Sequence, residues 1–205
     1  MGGRIKKIQR ITLSGLTVLA LVLTAAPLPA QEAKPEQGKS EEDWKNMKKE
    51  AKQAEVWAIS NGARAQLLKD NAKAKELFDK AYGWAAFDNL KLGFFFSGGG
   101  GKGVAVNKKT GHRTYMGMGS AGFGLSFGGK KYQVVFLFQN SKTFKNFVEN
   151  GWEATADASA AAGKAGAGAQ TNFVNGLAIY QLDTKGLMAS VDLAGTKYFK
   201  DKELN

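Results

Sequence analysis

Two periodicities divide the chain. After Ser40, apolar residues recur at helical spacing: Trp44, Met47, Ala51, Ala54 and Ala58 share one stripe, with lysines on the other faces. Ser40 followed by Asp43 resembles a capping box and marks the start of this amphipathic helix. A second helix is predicted over "GARAQLLKDNAKAKELFDKA", with a break near Asp70 and Asn71. From Tyr82 the period falls to two and glycines punctuate it, as in antiparallel strands and hairpins. Strands are predicted at Gly83–Phe87, Leu92–Ser97, Lys102–Asn107, His112–Gly119, Ala121–Phe127, Tyr132–Phe138, Glu153–Ala162, Asn175–Asp183 and Leu187–Ala194. Turns are expected at "NKKTG", "FGGKK" and "DTKG". One helix, "SKTFKNFVEN", interrupts the strands, with Ser141 as its cap and Phe144, Phe147 and Val148 on its buried face.

The texture of the strands narrows the architecture. "VVFLF" is apolar on both faces and belongs in the middle of a sheet. In "GFGLSFG" one face carries Phe123, Leu125 and Phe127 while the other carries mainly glycine, so another part of the chain must approach that bare face closely. "ATADASAAAG" is small on both faces. The expected class is α+β: a glycine-rich antiparallel sheet, strongly curved or closed into a barrel, with N-terminal helices and one inserted helix.

Composition adds a destination and a charge. Residues 1–30 read as a signal peptide, because "MGGRIKKIQR" is basic and is followed by the apolar run "ITLSGLTVLALVLTAA", too short to span a bilayer comfortably. Residues 31–40 are polar and carry Pro35, as a linker does. There is no cysteine, so the fold is held by packing alone. The net charge is +11, and removing the four basic residues of the leader leaves +7. That balance suits phospholipid headgroups, nucleic acid or an acidic protein surface without choosing among them.

Several motifs invite a chemical reading and fail its test. "FFFSGGGGKGVAV" looks like a phosphate-binding loop, yet the template's first glycine falls on Phe96, the residue after Lys102 is Gly103, and a strand follows where a helix is required. "GMGSAG" matches a dinucleotide fingerprint through Gly117, Gly119 and Gly122, but an alternating strand pattern follows it. "GLSFG" centres Ser126 in a nucleophile-elbow pattern without the strand-to-helix turn, and the one histidine, His112, precedes it. A single histidine and no cysteine leave only carboxylates for metal binding, without calcium-loop spacing. The expectation is a protein that is not an enzyme and uses no cofactor, with a serine hydrolase centred on Ser126 as a remote alternative. The basic residues carry the more useful signal: Lys91, Lys102, Lys108, Lys109, Arg113, Lys130 and Lys131 fall in or near expected turns. If neighbouring hairpins bring them together they form an anion-attracting rim, with Trp44 as an interfacial anchor. Ordinary solvated turns and a core tryptophan are the competing reading.

The order of these motifs resembles one family. "AKAKELFDKAYGWAAFDNLKLGFFFSGGGGKGVAV", "TYMGMGSAGFGLSFGGKKYQVVFLFQNSKTFKNF", "TADASAAAGKAGAGA" and "IYQLDTKGLMASVDLAG" are similar, in sequence order, to the successive segments of the SYLF domain. This is the lipid- and actin-binding domain of eukaryotic actin-patch and endocytic proteins, also found in secreted bacterial proteins. Departures are "RTYMGM" where a tryptophan-serine-proline is usual, and Lys164 where the family has proline. The resemblance implies a domain over residues 67–205, with residues 41–66 as an N-terminal amphipathic helical region. It implies a non-catalytic lipid or membrane-surface module, with phosphoinositide binding in eukaryotic members relying partly on an amphipathic helix. The alternative it implies is a protein-interaction module, actin-binding-like or an envelope scaffold. No nucleic-acid partner is expected, and the leader places the chain in the periplasm or outside the cell, where it can associate with a membrane.

Overall fold

The computed structural model describes residues 40–93, 96–123, 128–154, 172–183, 186–188, 193 and 195–205. These form α1 (Glu41–Asp70), α2 (Ala72–Lys80), β1 (Gly83–Gly93), β2 (Phe96–Asn107), β3 (Arg113–Phe123), β4 (Gly128–Phe138), α3 (Ser141–Asn150), β5 (Trp152–Glu153), β6 (Leu177–Asp183), β7 (Gly186–Leu187) and β8 (Thr196–Lys200). The strands make one antiparallel sheet in the order β5-β8-β3-β2-β1-β4-β6-β7, so the class is α+β as expected.

The sheet curls into a half-barrel. β4 and β8 are separated by three strands, which on a flat sheet places them roughly 19 Å apart. Instead the Phe136 and Tyr198 rings lie 4.9 Å apart, and Phe87 of β1 meets Tyr198 at 4.6 Å. Alternation then sorts the side chains. The inner face carries Phe87, Met116, Met118, Val134, Phe136, Phe138 and Tyr198, closed by Phe144 and Phe147 of α3. The outer face carries Trp84, Ala86, Val104, Val135, Leu137 and Tyr180, covered by Val56, Ala63 and Leu67 of α1 and Leu77 of α2. Val134 to Phe138 are all buried, which is why "VVFLF" reads as a strand apolar on both faces.

Local signals explain the helices. Ser40 and Asp43 form the capping box, and Asn71 ends α1 while its side chain accepts from the Ala74 N–H at the start of α2. The two N-terminal helices expected on either side of Gly62 are one: α1 runs through Gly62 to Asp70, because its packing stripe, Val56, Ser60, Ala63 and Leu67, continues across that glycine. For α3 the cap is Asn140, whose side chain accepts from the Thr143 N–H, and not Ser141.

The strand boundaries shift more. The glycine run is not a hairpin: Gly98 to Gly101 and Gly103 lie inside β2, paired with β1 on one side and β3 on the other. At Gly101 and Gly103 side chains of β1 require this: a Cβ would collide with Asn89 Oδ1 at the first and with the Phe87 ring and the Ala86 carbonyl at the second. Lys130 and Lys131 likewise lie in β4 and not in a turn. Two expected strands on either side of Ser120 merge into β3, and β8 escapes the sequence pattern altogether. The "NKKTG" turn forms where expected, with Gly111 at φ 72°. Ser126 and the "ATADASAAAG" segment from Thr155 onward lie outside the described residues.

Candidate functional site

Strand register decides which of the basic residues meet. Lys91 of β1 pairs with Lys130 of β4, and Leu90 with Lys131. Lys91, Lys130 and Lys131 therefore form one basic group near the Leu92 end of these strands. Lys91 and Lys130 share the inner face and Lys131 lies on the outer face with Leu90 and Leu92. α1 does not cover this end: Leu90 is 40% and Leu92 56% exposed, and the Leu92 side chain packs on Gly129. Lys131 also borders a cleft of about 240 Å³ with Gln66 of α1, Asp88 and Gln133. The result is a sheet tip with two bare leucines set among three lysines.

The remaining basic residues sit elsewhere and are engaged. The turn bearing Lys108 and Lys109 lies beside Gly83, eight pairs along β1 from Lys91, which is roughly 26 Å at the usual strand rise. Lys108 donates to the Phe78 carbonyl and its Nζ lies 4.4 Å from the Phe78 ring centroid. Burial lowers its pKa, with Asp79 acting in the opposite direction. Lys109 lies 5.7 Å from the Tyr82 ring, and the Arg113 guanidinium sits 3.5 Å over the Trp57 indole. Lys102 is no hairpin tip: it stands mid-strand between Asp88 and Gly117 and forms an ion pair with buried Asp201. Trp44 is 52% exposed, but 22 residues of α1, about 33 Å, separate it from Gln66 beside Lys131.

Sequence reasoning missed Leu90 and Leu92 as site residues because it ended the strand at Phe87. The signal was present: in "DNLKL" apolar and polar residues continue to alternate, and the leucines fall in phase with Trp84 and Ala86, which are covered by α1. It also missed Asn89, Ser120 and Tyr198 on the inner face. Among the described residues, the Asn89 carboxamide, the Ser120 hydroxyl and the Tyr198 hydroxyl are buried without hydrogen-bond partners. Burial drives the Tyr198 pKa well above its usual value, with Tyr132 adding to the effect.

The described strands thus form a curled, glycine-threaded sheet with exposed leucines beside lysines at one end. Comparison with known proteins places it: residues 119–205 match the Ysc84 family, described as Las17-binding protein actin regulator. Beta cell expansion factor A of Aeromonas veronii is 43% identical over 158 residues, which cover 76% of this chain and 60% of that protein. The chain belongs to the Ysc84, or SYLF, family of lipid- or actin-binding-type domains. It spans about three-fifths of the length of the relative it matches.

Proposed function

We propose that this domain docks on anionic phospholipid surfaces through the Leu90–Leu92 end of its sheet. The juxtaposition of exposed Leu90 and Leu92 with Lys91, Lys130 and Lys131 carries this reading. The lysines draw the tip to a negative surface, each contributing about 1 kcal/mol near it. The leucines then enter the headgroup boundary, adding on the order of 1 kcal/mol each because about half of each side chain is already covered. The net charge, +7 without the four basic residues of the leader, favours the encounter, and the leader-like residues 1–30 favour an exported setting, at an envelope or extracellular membrane. The proposed role is non-catalytic.

Flotation with vesicles containing an anionic phospholipid tests this. The protein is expected to float with them at low salt and to be released as salt rises past physiological strength, where exposed charges are screened within about 8 Å. The double variant Lys130→Glu, Lys131→Glu should remain at the bottom of the gradient with its melting temperature unchanged. Failure of the parent protein to float at low salt would overturn the reading.

A second reading follows from the family description, which names a protein partner for its members. The same tip would then hold an acidic protein surface. Co-sedimentation with actin filaments or envelope proteins in the absence of vesicles would favour it.

A further inference from the structure

At the end of the sheet away from Leu92, α3, β5 and the turn into β6 line a cleft of about 540 Å³, within the size range of small-molecule sites. It belongs to the Gly83 end, since Leu177 pairs with Phe138 and Phe138 with Gly83. One face of α3 supplies half of the lining: Lys142 with Asn146, and Thr143 with Phe147, are i, i+4 pairs. Phe147, Trp152 and Leu177 give the cleft an apolar surface. Asn140, Lys142, Asn146 and Asn175 are its exposed polar residues.

Neighbouring contacts hold these walls in place. Asn175 and Gly176 form a two-residue turn, φ 52° and 79°, closed by reciprocal backbone bonds between Val174 and Leu177. The Gly176 carbonyl accepts from the Gln139 N–H, and the Thr143 hydroxyl occupies the place that a Cβ at Gly176 would need. The Trp152 ring lies 5.4 Å from Phe136 and 5.8 Å from Tyr198. A ligand entering here meets a surface that needs little ordering.

Hydrogen bonds within the wall leave a surplus of donors. Asn140 Oδ1 accepts from the Thr143 N–H and O–H, and Asn146 Oδ1 accepts from Asn150 Nδ2. The Asn140 and Asn146 amino groups, and the Lys142 ammonium, have no acceptor among the described residues. No carboxylate is among the residues that line the cleft, and that of Glu153 on β5 is engaged by Lys197. The occupant therefore carries several acceptors, one negative charge and an apolar face. An acyl chain leaves the amides desolvated and unmet. A bare anion leaves the indole and Leu177 uncovered. A sugar ring bearing a carboxylate answers all three demands: its oxygens accept from the amides, its C–H face covers the indole, and its charge lies toward Lys142. We infer that this cleft binds an acidic saccharide, at a site separate from the Leu90–Leu92 surface.

Methyl β-glucuronide, methyl β-glucoside and acetate supply the ring with the charge, the ring alone and the charge alone. In a titration of the full chain followed by amide resonances, the glucuronide is expected to displace Thr143, Asn146, Trp152 and Gly176 with a Kd of about 1 mM. The glucoside should bind about fivefold more weakly, the contribution of one exposed ion pair, and acetate should displace nothing. Lys142→Gln should bring the two glycosides to within about twofold of each other, and Asn146→Ala should weaken both about fivefold. Both positions are exposed, so both variants should melt with the parent. No displacement of these amides by about 50 mM glucuronide overturns the site. Equal parent affinity for glucoside and glucuronide overturns the acidic assignment, and displacement by acetate as strong as by glucuronide overturns the saccharide. Tighter binding of adenosine monophosphate than of glucuronide overturns it in favour of a nucleotide. Vesicle flotation reads the opposite end of the sheet, so each of these results stands apart from the membrane reading.

Discussion

Asp201 is 5% exposed, just beyond β8, and its carboxylate faces Lys102 from across β3. Burial works to raise its pKa, but the Lys102 ammonium and the Glu203 and Leu204 N–H groups outweigh it, and the net displacement is downward. The stabilisation is complete above the unfolded carboxylate value of about 3.9 and is lost as pH falls through the lower, folded value. Asp201→Asn should therefore cost about 2 kcal/mol at neutral pH, where it strands half-exposed Lys102, and should flatten the acid limb of melting temperature against pH below about 4. Gly103 makes a second residue-scale prediction. Its missing side chain admits the Phe87 ring, and the Ala86 carbonyl lies too close for a Cβ to find room by side-chain motion. Gly103→Ala is expected to destabilise by about 2–3 kcal/mol in urea denaturation, whereas Gly62→Ala, with nothing near its Cβ, should be neutral or stabilising.

At the scale of elements, what the sequence displays is whatever is local. α3 is readable in all but its cap, because its apolar spacing and its boundaries lie within "NSKTFKNFVEN". Asn140→Ala should remove its cap, costing about 1 kcal/mol, with faster amide exchange at Thr143 and its neighbours as the direct readout. The Val134 to Phe138 half of β4 is readable because both of its faces are buried. The glycine run of β2 is not, because a glycine that makes way for a facing side chain looks in sequence like a glycine that makes a turn. Only the pairing of Asn89 with Gly101 and Phe87 with Gly103 separates the two cases. β8 is short, and its partner β3 lies some eighty residues earlier, so its five residues carry no local signature of pairing. The candidate site follows the same rule. Each lysine was identifiable one at a time; that Lys91 faces Lys130, and Leu90 Lys131, is a property of register, which the chain reveals only once β1 and β4 are side by side.

For the whole molecule, register converts one dispersed set of basic residues into two ends with different work. At the Gly83 end, Lys108, Lys109 and Arg113 lie against Phe78, Tyr82 and Trp57, so their charge holds helices and turn to the sheet. At the Leu92 end the lysines accompany exposed leucines that none of the described helices covers. The two ends should therefore respond oppositely to substitution. Arg113→Ala removes a cation from the Trp57 face and should lower stability by about 1 kcal/mol while leaving flotation with anionic vesicles nearly intact. Leu92→Glu replaces an exposed apolar group and should leave the stability within about 0.5 kcal/mol of the parent. It should nevertheless weaken flotation at least tenfold, because it removes inserted apolar area and sets a negative charge against the surface. If Arg113→Ala abolished flotation and Leu92→Glu did not, the membrane-facing end would be the other one, and the docking pose proposed for this sheet would have to be reversed.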